Sequence, residues 1–133
     1  MKDFRTSTKI VLDSFALIEY LEGSKKGEKV KNLIEDSNDT FINIISIAEV
    51  VSVLKRRGFY SEDLISSISM LAKIYQGDFD FYRDSGLLHA LIKHDIKDFG
   101  LVDSIILLTA RKLNARIVTG DTHFKTFKEV ILI

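Results

Sequence analysis

Ile10-Val11-Leu12 runs without a polar break into Asp13, and a helical pattern begins at Phe15. An apolar run that does not alternate reads as a strand covered on both faces, the usual state inside a parallel sheet. Parallel strands need crossovers long enough to hold a helix, so this stretch demands a chain in which strands and helices take turns. It also sets a carboxylate at the C-terminal end of a strand, where open α/β sheets gather functional groups beside a switch in strand order. The plainer reading is that Asp13 only caps the next helix.

The remaining sequence supplies the alternation. Residues 15–22 read as a short helix ending at Gly23-Ser24, and residues 27–36 as a second helix. Its apolar stripe of Val30, Leu33 and Ile34 serves an interface as readily as a core. The cluster Asp36-Ser37-Asn38-Asp39 is a turn, residues 40–44 a strand, and Ser46 opens a helix through Lys55 that stops near Gly58. Ser61-Glu62-Asp63 caps another helix expected to reach about Tyr75. Phe79-Asp80-Phe81-Tyr82 alternates and reads as a short strand, followed by a helix from Ser85 to about His94 and a polar connection to Gly100. Residues 101–113 are a strongly apolar helix, 116–119 a strand, 120–127 a loop or turn, and 130–133 a last strand. This order predicts an α/β fold, three-layer α/β/α with a central parallel sheet and right-handed crossovers. It also predicts one domain over residues 1–133, with a two-helix excursion between the second and third strands.

Composition narrows the chemistry. The chain contains no cysteine, which excludes disulfides and thiolate metal sites and fits a reducing, cytoplasmic setting. The start, Met1-Lys2-Asp3-Phe4-Arg5, is too polar for a signal peptide, and no apolar run is long enough to span a bilayer. With 19 basic and 19 acidic side chains the net charge is zero, which argues against a protein that coats nucleic acid non-specifically. Nucleic acid held through a metal ion remains compatible with that balance.

Three further acids stand at predicted strand ends or helix starts on the side of the sheet where Asp13 lies. Glu49 follows Ser46 at capping-box spacing, a structural role that explains it without function. Asp103 opens the apolar 101–113 helix, where the helix dipole favours an acid. A carboxylate at the mouth of so apolar a helix needs a partner or water. Asp121 directly follows a buried strand, in a Gly-Asp pair common in turns. Clustered carboxylates raise one another's pKa values unless a cation neutralises them. Oxygen donors without cysteine select a hard divalent ion such as Mg²⁺ or Mn²⁺, which activates water and stabilises charge on a phosphoryl group. Phosphodiester hydrolysis is the chemistry such a cluster suits.

The ordered set Val-Leu-Asp13, Ser-x-x-Glu49-Val, Asp103 opening an apolar helix, and Thr119-Gly-Asp121-x-x-Phe124 resembles a PIN domain, most closely the small VapC-type toxin ribonucleases. The resemblance covers essentially the whole chain. It implies a Mg²⁺- or Mn²⁺-dependent endoribonuclease acting on RNA. In that reading Asp13, Glu49, Asp103 and Asp121 hold the metal and orient water, and Thr119 supports the site through its hydroxyl. It also implies a homodimer and a protein antitoxin. One position departs from many relatives: His123 stands where they carry another acid. It reads as a solvated loop histidine, with a role on phosphate or metal as the alternative. His89 and His94 lie outside the proposed site. Lys55-Arg56-Arg57 answer the dipole of the helix they end. Lys25, Lys26, Arg111, Lys112 and Arg116 are scattered, and none of these marks a binding patch.

Three competing readings follow. One is a PIN-like module that binds RNA or protein without cutting. Another is a different doubly wound protein, but a receiver lacks its acidic pair after the first strand here, and a phosphatase lacks Asp-x-Asp at Asp13-Ser14-Phe15. The last is purely structural, with every acid a cap.

Overall fold

The apolar runs form β1 (Lys9–Leu12), β2 (Asp39–Asn43), β3 (Lys73–Tyr75), β4 (Arg116–Thr119) and β5 (Val130–Leu132). Between them lie α1 (Ser14–Glu22), α2 (Lys25–Asp36), α3 (Ile45–Arg56), α4 (Glu62–Leu71), α5 (Phe79–Asp95) and α6 (Leu101–Leu113), with a 3₁₀ turn at Thr122–Phe124. The computed structural model describes residues 8–133, so the polar start over residues 1–5 lies outside them. All strand pairs are parallel, in the order β3-β2-β1-β4-β5. The chain runs outward from β1 to β3, then returns to the other side of β1 for β4. The switch point therefore falls between β1 and β4, where ligand sites of open parallel sheets form.

The unbroken apolar character of β1 has its reason in the two cores. Ile10 and Leu12 face one side with Leu17, Val30, Val50, Leu54 and Ile68 of α1 to α4. Val11 faces the other with Phe99, Ile106, Leu107, Ala110 and Phe124. A strand buried on both faces has no use for a polar alternate. The stripe of Val30, Leu33 and Ile34 belongs to the first core. Gly23 closes α1 in the left-handed region at φ 70°, the conformation that most favours glycine.

Two predicted elements are different. The helix expected to reach Tyr75 stops at Leu71, and Lys73–Tyr75 forms the edge strand β3, in register with Phe41–Asn43. Pairing along β2 overrides a helical pattern that three residues are too short to contradict. The expected strand over residues 79–82 is instead the first turn of α5. Asp78 caps it, its Oδ1 accepting the Phe81 N–H at 2.9 Å. Phe81 alone of the aromatic run is buried; Phe79 is 82% exposed, so the apparent alternation did not mark a sheet face. The second helix also starts earlier, at Lys25, because Ser24 caps it through the Gly27 N–H.

Candidate functional site

Asp13, Glu49, Asp103 and Asp121 all line one cleft of about 520 Å³ at the C-terminal edge of the sheet. Each arrives there by a local rule. Asp13 ends β1 and caps α1, its Oδ1 accepting the Ala16 N–H at 2.9 Å. The Asp13 N–H in turn reaches the Val118 carbonyl at 3.3 Å, which ties the end of β1 to β4. Asp103 accepts the Gly100 N–H on Oδ2 at 2.8 Å, satisfying a donor at the start of α6. Asp121 follows β4 by two residues. Its N–H donates to Thr119 Oγ1 at 2.9 Å, and its Oδ1 accepts the His123 N–H at 2.9 Å. Capping thus accounts for where three of these acids stand, but not for their company.

That company is electrostatically unfavourable without a cation. Asp13 is only 7% exposed. Burial pushes its carboxyl up to about 7; repulsion from Asp103 and Asp121 adds to this, while the Thr119 hydroxyl and the Ala16 N–H pull it down. Burial also raises Asp103, with Asp121 adding and the Gly100 N–H and two histidines, His123 and His89, opposing. Among the described residues, no lysine or arginine is in ion-pair range of any of the four acids. Uncompensated buried carboxylates of this kind are concentrated at functional sites.

Glu49 stands apart from the other three. It lies half-buried on the α3 wall, and the capping box expected with Ser46 is not formed. Asn43 does that work instead: its Oδ1 accepts the Ile45 N–H at 2.9 Å, and its Nδ2 donates to Thr109 Oγ1 at 2.9 Å. Ser46 is fully buried, and its hydroxyl has no partner among the described residues. Helical spacing sets Ser46 on the stripe of Glu49 and Val53, the stripe that lines the cleft.

His123 is closer to the acids than its sequence context indicated. Its Nδ1 lies 3.1 Å from Asp121 Oδ1, and its side chain is 42% exposed. Asp103, Asp121 and His123 each offer a ligand atom within 4.8 Å of the others. The donors are carboxylate oxygen and imidazole, with no thiolate, which fits a hard to borderline divalent cation. His89, given no role from sequence, bonds the Phe99 carbonyl through Nε2 at 3.0 Å, behind the turn that carries Asp103. Arg57 was also read as no more than a helix-end charge, yet it lines the cleft with Glu49 and Val53. Their four-residue spacing, running along α3 to its C-cap, was the available signal.

The PIN domain family profile matches residues 10–130. A search of curated proteins finds no match. Among solved structures, a toxin-antitoxin complex from Klebsiella pneumoniae is similar at TM-score 0.70 and 20% identity, covering 92% of this chain and 95% of that one. VapC20 of Mycobacterium tuberculosis, described as a toxin that cleaves the sarcin-ricin loop, is similar at TM-score 0.68 and 16% identity, covering 90% and 95%. VapBC2 of Rickettsia felis, bound to a DNA fragment from its promoter, is similar at TM-score 0.69 and 17% identity, covering 95% and 98%.

Proposed function

The chain belongs to the PIN domain family, and from that premise we propose that it is a divalent-metal-dependent endoribonuclease, the cytoplasmic toxin of a toxin–antitoxin pair. The observation that carries this reading is the convergence of Asp13, Glu49, Asp103 and Asp121 on one cleft at the switch point of the sheet, with no basic ion-pair partner among the described residues. Asp103 and Asp121, with Asp13 behind them, hold Mg²⁺ or Mn²⁺ in this proposal, and Glu49 completes the set from the α3 wall. When bound, the ion supplies Lewis-acid stabilisation of phosphoryl charge and lowers the pKa of water.

The protein's own groups have separable tasks in this reading. Asp13 accepts the Ala16 N–H on Oδ1 and bonds the Thr119 hydroxyl, contacts that orient its carboxylate. Thr119 bonds the Asp121 N–H and so sets the turn that aims the last acid. Glu49, the least constrained of the four, is suited to orient the attacking water. Ile18, Val53, Val102 and Ile106 give the cleft apolar walls that limit competing water. RNA is the proposed substrate and a homodimer the proposed assembly. Support for a protein antitoxin comes from structural neighbours that are themselves toxin–antitoxin complexes.

Incubating a labelled RNA pool with Mg²⁺, Mn²⁺ or chelator tests the reading directly. Wild type is expected to cut with either metal, and both chelation and Asp13→Asn should lower the rate by roughly 10³-fold, about 4 kcal/mol of barrier. RNA that survives wild type in every metal, with no Mn²⁺ bound in calorimetry, overturns it.

A further inference from the structure

The cleft is longer than its acids need. Phe15, Ile18 and Glu22 fall at three- and four-residue spacing on α1; Glu49 and Val53 of α3 and its C-cap Arg57 follow at four-residue spacing. All but Glu22 line the cleft. Glu22 joins the two stripes at their far end, its Oε1 and Oε2 accepting from Arg57 Nη1 at 2.9 and 3.0 Å. From Glu49, eight residues along α3 is an axial distance of about 12 Å. Arg57 is engaged there by Glu22, and it makes no ion pair with the four acids of the site among the described residues. Between the two ends of the groove lie the apolar side chains of Ile18 and Val53.

Charge gives this arrangement a direction. Among the described residues, Arg57 is the one cation lining a cleft that carries four carboxylates. Glu22 engages a single nitrogen of a guanidinium that has five N–H donors, and Nε and Nη2 have no partner among the described residues. The Arg57 side chain is 53% exposed while Glu22 is 15% exposed, so the pair is open on the arginine's side. A strained or buried ion pair would argue for structure alone; this one leaves most of its donors to solvent. A planar guanidinium with free donors is the protein group best matched to a phosphate.

We propose that Arg57, positioned by Glu22, is the anchor for a phosphate of single-stranded RNA flanking the scissile one, with the intervening nucleoside lying over Ile18 and Val53. The assignment rests on the nuclease reading above and adds the path of the strand: from the acids along the α1–α3 groove. At its distance along α3, Arg57 binds the substrate and does not touch the reacting phosphoryl group. Phosphate contacts set the register of a nucleic acid without reading its bases, so this subsite positions the cut.

Steady-state cleavage of a labelled single-stranded RNA, with Mn²⁺ at several KCl concentrations, tests the assignment. Arg57→Ala is expected to raise KM about tenfold, with kcat changed less than about twofold, as loss of one charge-assisted contact predicts. The slope of log KM against log salt should fall by about 0.7, the value for one phosphate contact on a single strand. Arg57→Lys should keep that slope. Mn²⁺ affinity by calorimetry should match wild type in both variants. A wild-type KM and salt slope in Arg57→Ala overturns the subsite while leaving the nuclease intact. So does loss of Mn²⁺ binding in Arg57→Ala, which would mark Arg57 as a structural tie. A wild type that neither cuts nor binds RNA overturns both readings.

Discussion

Asp13 and Asp39 flank neighbouring strands of one sheet, at opposite edges. Asp39 opens β2 at the N-terminal edge and bonds Lys73 Nζ, at the start of β3, at 2.8 Å. That lysine holds the Asp39 carboxyl below its ordinary range. Asp13 follows β1 at the C-terminal edge, where burial and two other acids drive its carboxyl the other way. Both are acids beside parallel strands, but among the described residues one pairs with a cation and the other does not. The lesson is about where a fold leaves electrostatic work undone. At one edge the chain neutralises its own charge; at the other it collects acids beyond what its own groups offset, which is the state a divalent ion would relieve.

The sharpest way to break this comparison is through pH. A buried acid raised to about 7 binds a proton in the folded state at pH values where the unfolded chain, near 3.8, has released it. Stability of the metal-free protein should therefore fall as pH rises from about 4 to about 7 and level off above that window. The full effect is roughly 4 kcal/mol. Asp13→Asn keeps the acceptor for the Ala16 N–H and removes the charge, so it should flatten the profile and raise the melting temperature at pH 8. Melts at pH 5 and pH 8, with and without Mn²⁺, check this. A mutant that melts lower than wild type at pH 8 would mean that the site is compensated after all.

A smaller effect is expected from a polar group at the same edge whose bonds are made. Asn43 is fully buried and bridges the Ile45 N–H and Thr109. Asn43→Ala strands both and should destabilise by about 1–3 kcal/mol, read from urea unfolding. Unlike Asp13→Asn, its effect should be nearly constant between pH 5 and pH 8. A marked pH dependence would show that Asn43 reports on the acids rather than on its own bonds. The smallest effect belongs to the opposite edge. Asp39 is paired on the surface, so Asp39→Asn should leave the melting temperature within error and RNA cleavage at the wild-type rate. A loss of cleavage there would erase the distinction between the two edges.

Local chemistry made much of this legible in advance. The 101–113 helix and the 116–119 strand have the bounds their apolar periodicity indicated. Periodicity failed at Phe79–Tyr82, where four residues are too few to separate an alternating strand from one helical turn whose cap is Asp78. It failed again at Lys73–Tyr75, whose strand state depends on a partner about thirty residues away. For Ser46 and Glu49 the expected cap was a valid local bond, but Asn43 supplied a competing one from the end of β2.

Sequence by itself determined the alternation of strand and helix, the two-faced burial of β1, and which acids end strands or open helices. These follow from short-range rules, since period, caps and turn residues act within a few positions of the chain. Only the tertiary structure decided that Asp13, Asp103 and Asp121 repel one another, that His123 joins them, and that Arg57 enters the same cleft. Strand order brings residues more than a hundred positions apart to one edge, and burial depends on everything packed there. A carboxylate's energy is set by that surrounding volume, which no local window of the sequence contains.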